Sequence, residues 1–289
     1  MKITYLSSIR HGQDGAIWGD LLFRFNARGV CYVHNIKEPQ SINPTTGKLD
    51  TFATFTLDRA SEIVPHSNAV MFGNEYYCEG DEFPLLYSNV YNNCAKEEDQ
   101  NKGVCCVYRL QRNGCTFSTT LVQLIEIGFT ENTALWATAG EQPDVRPYGN
   151  FTIDRERSIY YAFTMRDATR TTRYFSFVLP KAQDGITDAR LGIKKVTLDT
   201  TDIIGYFDCP YHQFMQGACC HDGKIYSVEG FSDSKRPAVL RVVDPTAQRQ
   251  ELCVNLAQLG LDIEPEFIDF HGDTCYYSDA HGRLYRFEF

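Results

Sequence analysis

Short polar segments recur along the chain, each directly ahead of an apolar, strand-like run. They read His11-Gly-Gln13-Asp14, His66-Ser-Asn68, Tyr148-Gly-Asn150, Gln213 to Gln216 and Glu264-Pro-Glu266. Their side chains are carboxylates, amides, imidazoles and a phenol, which hydrogen-bond polar ligands, and the carboxylates could also transfer protons. If the fold brings these segments together, they form a ring of hydrogen-bonding groups around one shared cavity.

The carboxylates suggest one specific chemistry. A glycosidase needs two of them on opposite sides of a sugar, about 5 to 9 Å apart, one kept protonated by burial or like-charge crowding. Asp14 and Glu266, in the first and last segments, are the predicted catalytic pair. Glu79 and Glu229 are alternative partners, although both are expected at solvated hairpin ends. Asp14 could instead cap a turn.

The remaining members of the segments are predicted to bind the ligand. They are His11, Gln13, His66, Asn68, Tyr148, Asn150, Gln216 and Glu264. Tyr148, together with Phe214, could also stack against a sugar ring. A structural interpretation stays open, because polar side chains also hold water in channels that have no ligand. No third His or Cys stands at metal-ligand spacing from His11 and His66, so no metal site is predicted.

The elements that would position these residues follow a repeat. GDLLFRFNARGVCYV from Gly19 matches GDTCYYSDAHGRLYR from Gly272, and fainter copies begin near residues 68, 150 and 216. Each copy carries about four strand signals separated by turns, which is the make-up of one propeller blade. The last strand of the third copy is placed near Ile193 to Leu198.

The two ends of the chain complete this pattern. The last copy stops after three strands, whereas KITYLS at residues 2–7 is a strand without a partner. The sequence therefore predicts an all-β, five-bladed β-propeller of four-stranded antiparallel blades, a single domain over residues 1–289, with the N-terminal strand closing the last blade. A sixth blade between the second and third copies is the alternative, but about 80 residues would then have to hold two blades.

The blade motifs GDLLFRF, FPLLYSNVY and GDTCYYSDAHGRLY resemble those of five-bladed β-propellers, particularly uncharacterised, neuraminidase-like proteins of gut bacteria. The wider group contains hydrolases of arabinan and fructan, sugar-binding lectins and nucleotide hydrolases, so the resemblance implies the fold and does not choose among these activities. The Asp box of sialidases, Ser-x-Asp-x-Gly-x-Thr-Trp, is only approached by Ser278 to Tyr285. There the Asp is displaced and Tyr replaces Trp.

Composition narrows the partners. A net charge of -9 argues against nucleic acid and anionic membranes, and favours neutral or cationic ligands. No apolar run could span a bilayer, and no motif for a nucleotide cofactor or catalytic zinc occurs, so no cofactor is predicted. Eleven cysteines, mostly in apolar runs, favour a cytoplasmic protein with reduced thiols. The alternative is an exported protein whose leader is absent from this chain, with a local bridge among Cys94, Cys105 and Cys106.

The sequence thus predicts recognition of a carbohydrate or similar small molecule at the mouth of the channel, extended to glycoside hydrolysis if Asp14 and Glu266 act as acid and base. The alternative is a non-enzymatic scaffold that binds proteins through its loops, notably Asn92–Gly103 and Gly128–Pro147. Deeply buried carboxylates with raised pKa would favour the enzyme, and a channel plugged by packed side chains would favour the scaffold. The sequence makes no prediction of oligomeric state.

Overall fold

A computed structural model describes residues 1–37, 42–43, 45–63, 65–90, 103–127, 150–166, 170–210 and 215–289, with only the backbone of 165 and 166. The chain forms five β-sheets arranged as the blades of a propeller, which confirms the predicted fold. Helical structure in the described residues is limited to α1 (Ala60–Ile63) and two 3-10 turns, Thr200–Asp202 and Ala257–Leu259. None of these could cross a membrane.

The blades follow the order of the chain, and each is named here from its innermost strand outward. Blade 1 contains β2 (Gly15–Trp18), β3 (Leu21–Phe25), β4 (Val30–Asn35) and β5 (Ala53–Thr56). Blade 2 contains β6 (Val70–Phe72), β7 (Leu86–Val90), β8 (Gly103–Asn113) and β9 (Thr116–Ile127), with β14 (Lys194–Leu198) and β13 (Ile186–Thr187) added at its outer edge. Blade 3 contains β10 (Phe151–Asp154), β11 (Ile159–Arg166), β12 (Thr171–Val178) and β15 (Gly205–Pro210).

Two further blades complete the ring. Blade 4 contains β16 (Met215–His221), β17 (Lys224–Glu229), β18 (Val239–Asp244) and β19 (Arg249–Asn255). Blade 5 contains β20 (Pro265–His271), β21 (Thr274–Asp279), β22 (Arg283–Glu288) and β1 (Lys2–Ser8). The antiparallel pairing of β1 with β22, in which Lys2 lies opposite Glu288, confirms that the N-terminal strand closes the last blade.

The prediction for the end of the third copy is wrong. The strand Lys194–Leu198 does not belong to blade 3 but pairs in parallel with β9 of blade 2, Val196 lying opposite Ile125. The fourth strand of blade 3 is Gly205–Pro210, which pairs with β12. Alternation in KKVTL identifies a strand but not its partner, and here the apolar side chains pack into the core between blades 2 and 3.

Alternation within the strands builds the cores between the blades. On β3, Phe23 and Phe25 face blade 2, whereas Leu22 and Arg24 face blade 5. The innermost strands β2, β6, β10, β16 and β20 contact one another in ring order around the central channel. We call the channel end at which these five strands begin the rim and the opposite end the floor.

Candidate functional site

Five polar side chains, one from the start of the innermost strand of each blade, are buried at the rim. They are Asp14, Asn68, Asn150, Gln216 and Glu266, and each is at most 9% exposed. The fold thus collects the five polar segments at one end of the channel. Their role as ligand-binding groups stays a prediction.

Asp14 is the most deeply enclosed of the five. Its Oδ2 accepts a hydrogen bond of 2.9 Å from the backbone N–H of Val70 in blade 2. Its Oδ1 lies against Gly217 of blade 4, where a Cβ would stand 3.1 Å from Oδ1 and 3.1 Å from the carbonyl oxygen of Glu266. Glycine at 217 therefore gives the carboxyl group room to reach across the channel. Burial raises the pKa of Asp14 well above its usual value, against backbone N–H groups and Arg24 that lower it.

Glu266 is the second buried acid at the rim. Burial raises the pKa of Glu266 to about 8, with the Arg24 charge lowering it and Glu264 and Asp279 raising it further. Neither Asp14 Oδ1 nor Glu266 Oε2 has a hydrogen-bond partner among the described residues. Both predicted catalytic residues are consequently buried acids with an unused oxygen.

Sequence reasoning missed Arg24, the cation at the centre of this cluster. Its side chain is fully buried, donates from Nη2 to the carbonyl oxygen of Gly12 at 3.0 Å, and lies 5.7 Å from the ring centroid of Phe267. Its Nε and Nη1 have no acceptor in the described part of the chain. Burial lowers the pKa of Arg24, opposed by Glu266, Asp14 and Asp279. A lone charge inside the apolar run LLFRF was the available signal.

The amides at the rim have different surroundings. Gln216 donates from Nε2 to Glu264 Oε1 at 2.7 Å, and the pKa of the half-buried Glu264 is raised by burial. Asn68 Oδ1 accepts from Asn89 Nδ2 at 2.5 Å, so Asn89 is a further rim residue that sequence reasoning missed. Asn150 Oδ1 is buried with no partner among the described residues.

The other predicted ligand residues are less enclosed. His11 is exposed and Gln13 is half-buried. His66 is also half-buried, and burial lowers its pKa. Tyr148 and Phe214 lie outside the described residues, so their prediction as a sugar platform stays untested.

The two alternative carboxylates lie in contrasting places. Glu229 is buried and forms an ion pair of 2.6 Å with Arg241 Nε, so its predicted solvation is wrong. The cause is an arginine on the next strand that compensates the buried charge. Glu79 is exposed in the connection between β6 and β7, which is at the floor end of blade 2.

The floor of the channel is narrow. Its cavity of about 10 Å³ lies among Met71, Ile153, Cys219 and the charged pair Arg155 and Asp269, and holds a single water at most. The backbone N–H of Ile153 contacts Met71 Sδ at 2.9 Å, and Asp269 accepts from the N–H of Ile17 at 2.7 Å. Among the described residues, those around this cavity leave no space for a ligand larger than water.

The described residues contain one group of potential metal ligands, His221, Asp222 and Asp273. It lies in the exposed turns that follow β16 and β20, at the floor end, and has no member at the rim.

Comparison with known proteins adds no function. No protein-family profile and no curated protein matches the chain. Similar solved structures include BamB from Moraxella catarrhalis, at 9% identity over 96% of this chain and 58% of that chain, with a TM-score of 0.35. The computationally designed Ika8 protein is 8% identical over 99% of both chains (TM-score 0.37). A chain of the Mitotic Checkpoint Complex is 10% identical over 96% of this chain and 60% of that chain (TM-score 0.36). This chain thus spans about three fifths of the length of the first and third.

Proposed function

We propose that this propeller binds a neutral, hydroxyl-rich small molecule, with sugars as the leading class, at the rim of its channel. The observation that carries the proposal is the ring of five buried polar side chains, one per blade. Within it, Asp14 Oδ1, Asn150 Oδ1 and Glu266 Oε2 lack hydrogen-bond partners in the described part of the chain. Buried polar atoms normally have hydrogen-bond partners, and a bound water or ligand would supply them for these three atoms.

The chemistry of the ring favours a neutral ligand over a charged one. With a pKa of about 8, Glu266 presents a carboxylic acid that both donates and accepts hydrogen bonds, and burial raises the pKa of Asp14 in the same direction. Amides offer the same combination, and sugar hydroxyls are complementary to it because they also donate and accept. The net charge of -9 disfavours anions, and the likeness of the blade motifs to neuraminidase-like propellers is consistent with a carbohydrate.

Hydrolysis is the weaker part of the proposal. Glu266, with a pKa of about 8, would suit a general acid. A glycosidase also needs an ionised carboxylate, and the raised pKa of Asp14 works against that role. Binding without cleavage therefore fits the rim better than catalysis.

The narrow floor is the observation that favours the alternative, a protein-binding scaffold. The loops expected to bind a partner, Asn92–Gly103 and Gly128–Pro147, lie outside the described residues apart from Gly103. The scaffold therefore stays the second candidate.

A thermal-shift screen against mono- and oligosaccharides tests the proposal. We expect at least one sugar to raise the melting temperature, and Asp14→Asn to weaken its binding about tenfold by changing the donor pattern at the rim. Asp222→Asn, an exposed residue at the floor end, is the matched control and should bind as the wild type does. Absence of any sugar-induced shift would refute the sugar proposal. Release of reducing ends, measured separately, would establish hydrolysis.

A further inference from the structure

A second cavity, of about 280 Å³, lies between blade 5 and blade 1, away from the channel. Its apolar lining comes from both blades and consists of Leu6, Tyr276, Leu284, Ile36, Ile42 and Leu49. None of these residues belongs to the rim or the floor. The cavity is therefore a separate site, built where the ring of blades closes.

Backbone hydrogen bonds hold the two walls of this cavity in place. The N–H of Leu49 donates to the carbonyl oxygen of Ser8 at 2.8 Å, which ties the loop ahead of β5 to the end of β1. Ser7 Oγ donates to the carbonyl oxygen of Gly47 at 3.1 Å and strengthens the same connection. These bonds join the two walls of the cavity, as expected of a largely preformed pocket.

Two cations, Lys37 and Arg286, and the polar Ser7 complete the lining of this largely apolar space. Lys37 Nζ lies 3.1 Å from Asp20, and Arg286 Nη2 lies 3.1 Å from Glu288. Glu288 is shared with Lys2 at 3.3 Å, so three cations face two carboxylates in this part of the surface. The lining of the cavity itself, as far as the structure describes it, contains two cations and no carboxylate.

The side chain of Arg286 has a hydrogen-bond donor that is not used within the described residues. Its Nε is buried and has no acceptor among the residues that the structure describes. A guanidinium group recognises carboxylates through paired N–H donors, and Arg286 has only one terminal nitrogen paired with Glu288. A second anion would satisfy the remaining donor.

We propose that this cavity binds a small amphiphilic carboxylate, with its apolar chain against the leucine and isoleucine side chains and its carboxylate at Arg286 and Lys37. The volume holds roughly nine groups of water size at about 30 Å³ each, which corresponds to a chain of about eight carbons. A sugar fits this lining poorly, because most of the wall offers no hydrogen bonds. The site does not depend on the function proposed for the rim.

Calorimetric titration with three probes of equal chain length but different charge tests whether the cavity selects an anion. Octanoate should bind in the millimolar range or tighter, and 1-octanol and octylamine at least tenfold more weakly, since only the carboxylate complements the two cations. Equal binding of all three probes, or no binding of octanoate, would overturn the proposal.

Two variants test the location. Arg286→Gln should weaken octanoate binding about tenfold without a matching loss for 1-octanol, whereas Arg112→Gln, which removes a surface arginine on blade 2, should leave both unchanged. Leu6→Trp should fill the cavity and abolish binding of both probes, with circular dichroism confirming the fold. Octanoate binding that is equal in Arg286→Gln and the wild type would contradict the proposal.

A crystal structure of the wild type with 8-bromooctanoate locates the ligand directly, because bromine scatters anomalously. This test does not depend on whether any variant folds. We expect the bromine beside Leu49 and Leu284 and the carboxylate within hydrogen-bond distance of Arg286. Bromine only at other places on the surface would refute the site.

Discussion

The two faces of strand β3 pack in different ways against the two neighbouring blades. Toward blade 2, Phe23 contacts the rings of Phe72, Phe83 and Phe117 edge-on, with centroids 5.4 to 5.7 Å apart. Toward blade 5, the next residue along the strand is the fully buried Arg24. We call the interface between two neighbouring blades a seam. The seam between blades 1 and 2 is thus aromatic and apolar, whereas the seam between blades 5 and 1 combines a buried charge with a cavity.

This difference between the two seams indicates which interface between blades can hold charged groups and a cavity. The apolar core between blades 5 and 1 is the smallest of the five among the described residues, and consists of Ile9, Ile17, Leu22, Leu49, Phe267 and Leu284. Main-chain pairing of β1 with β22 already fixes the two ends of the chain there. That seam can consequently accommodate Arg24 and the outer cavity, while the aromatic seam contributes packing energy.

Among the substitutions that test this difference between the two seams, Phe23→Ala should have the largest effect on stability. The substitution empties the centre of the aromatic seam, and we expect a loss of about 3 to 5 kcal/mol in the free energy of unfolding, measured with urea. Phe289→Ala, at an exposed site, is the control and should cost far less. A loss below about 1 kcal/mol for Phe23→Ala would show that contacts between the aromatic rings do not stabilise this seam.

Arg24→Met should have a smaller effect that depends on pH. At pH 6, below the pKa of Glu266 of about 8, Glu266 holds its proton, and we expect a loss of about 2 kcal/mol. At pH 9, above the pKa of Glu266 of about 8, the loss should increase because an ionised carboxylate remains without its cation. Urea unfolding at both values checks this, with Arg112→Met as the control. An equal loss at both pH values would mean that Arg24 acts only by filling space.

Glu266→Gln should change how stability depends on pH, with a defined sign. Between about pH 4.5 and 8 the folded protein keeps the proton of Glu266 and the unfolded chain releases it, so rising pH lowers the stability of the wild type. Glutamine cannot titrate, and the variant should gain at least about 1.4 kcal/mol relative to the wild type between pH 5 and pH 8. Urea unfolding of Glu266→Gln, the wild type and the surface control Glu82→Gln provides the measurement. A constant difference across this range would contradict the raised pKa.

Much of the architecture could be predicted because blades repeat and strands alternate. The blade count, the closing strand and the convergence of Asp14, Asn68, Asn150, Gln216 and Glu266 on one end of the channel follow from those two patterns. Partners that depend on three dimensions could not be predicted. Glu229 is buried because Arg241 lies on the adjacent strand, and nothing in the sequence names β9 as the partner of Lys194–Leu198.

The path of β14 has a consequence for how this chain could be cut or recombined. After β12 the chain leaves blade 3, adds β13 and β14 to blade 2, and returns to complete blade 3 with β15. Blades 2 and 3 therefore cannot be exchanged, deleted or permuted as separate modules. A break between them would leave an unpaired strand edge in each blade. For gene fusion, circular permutation or design, the smallest transferable unit in this half of the ring is the pair.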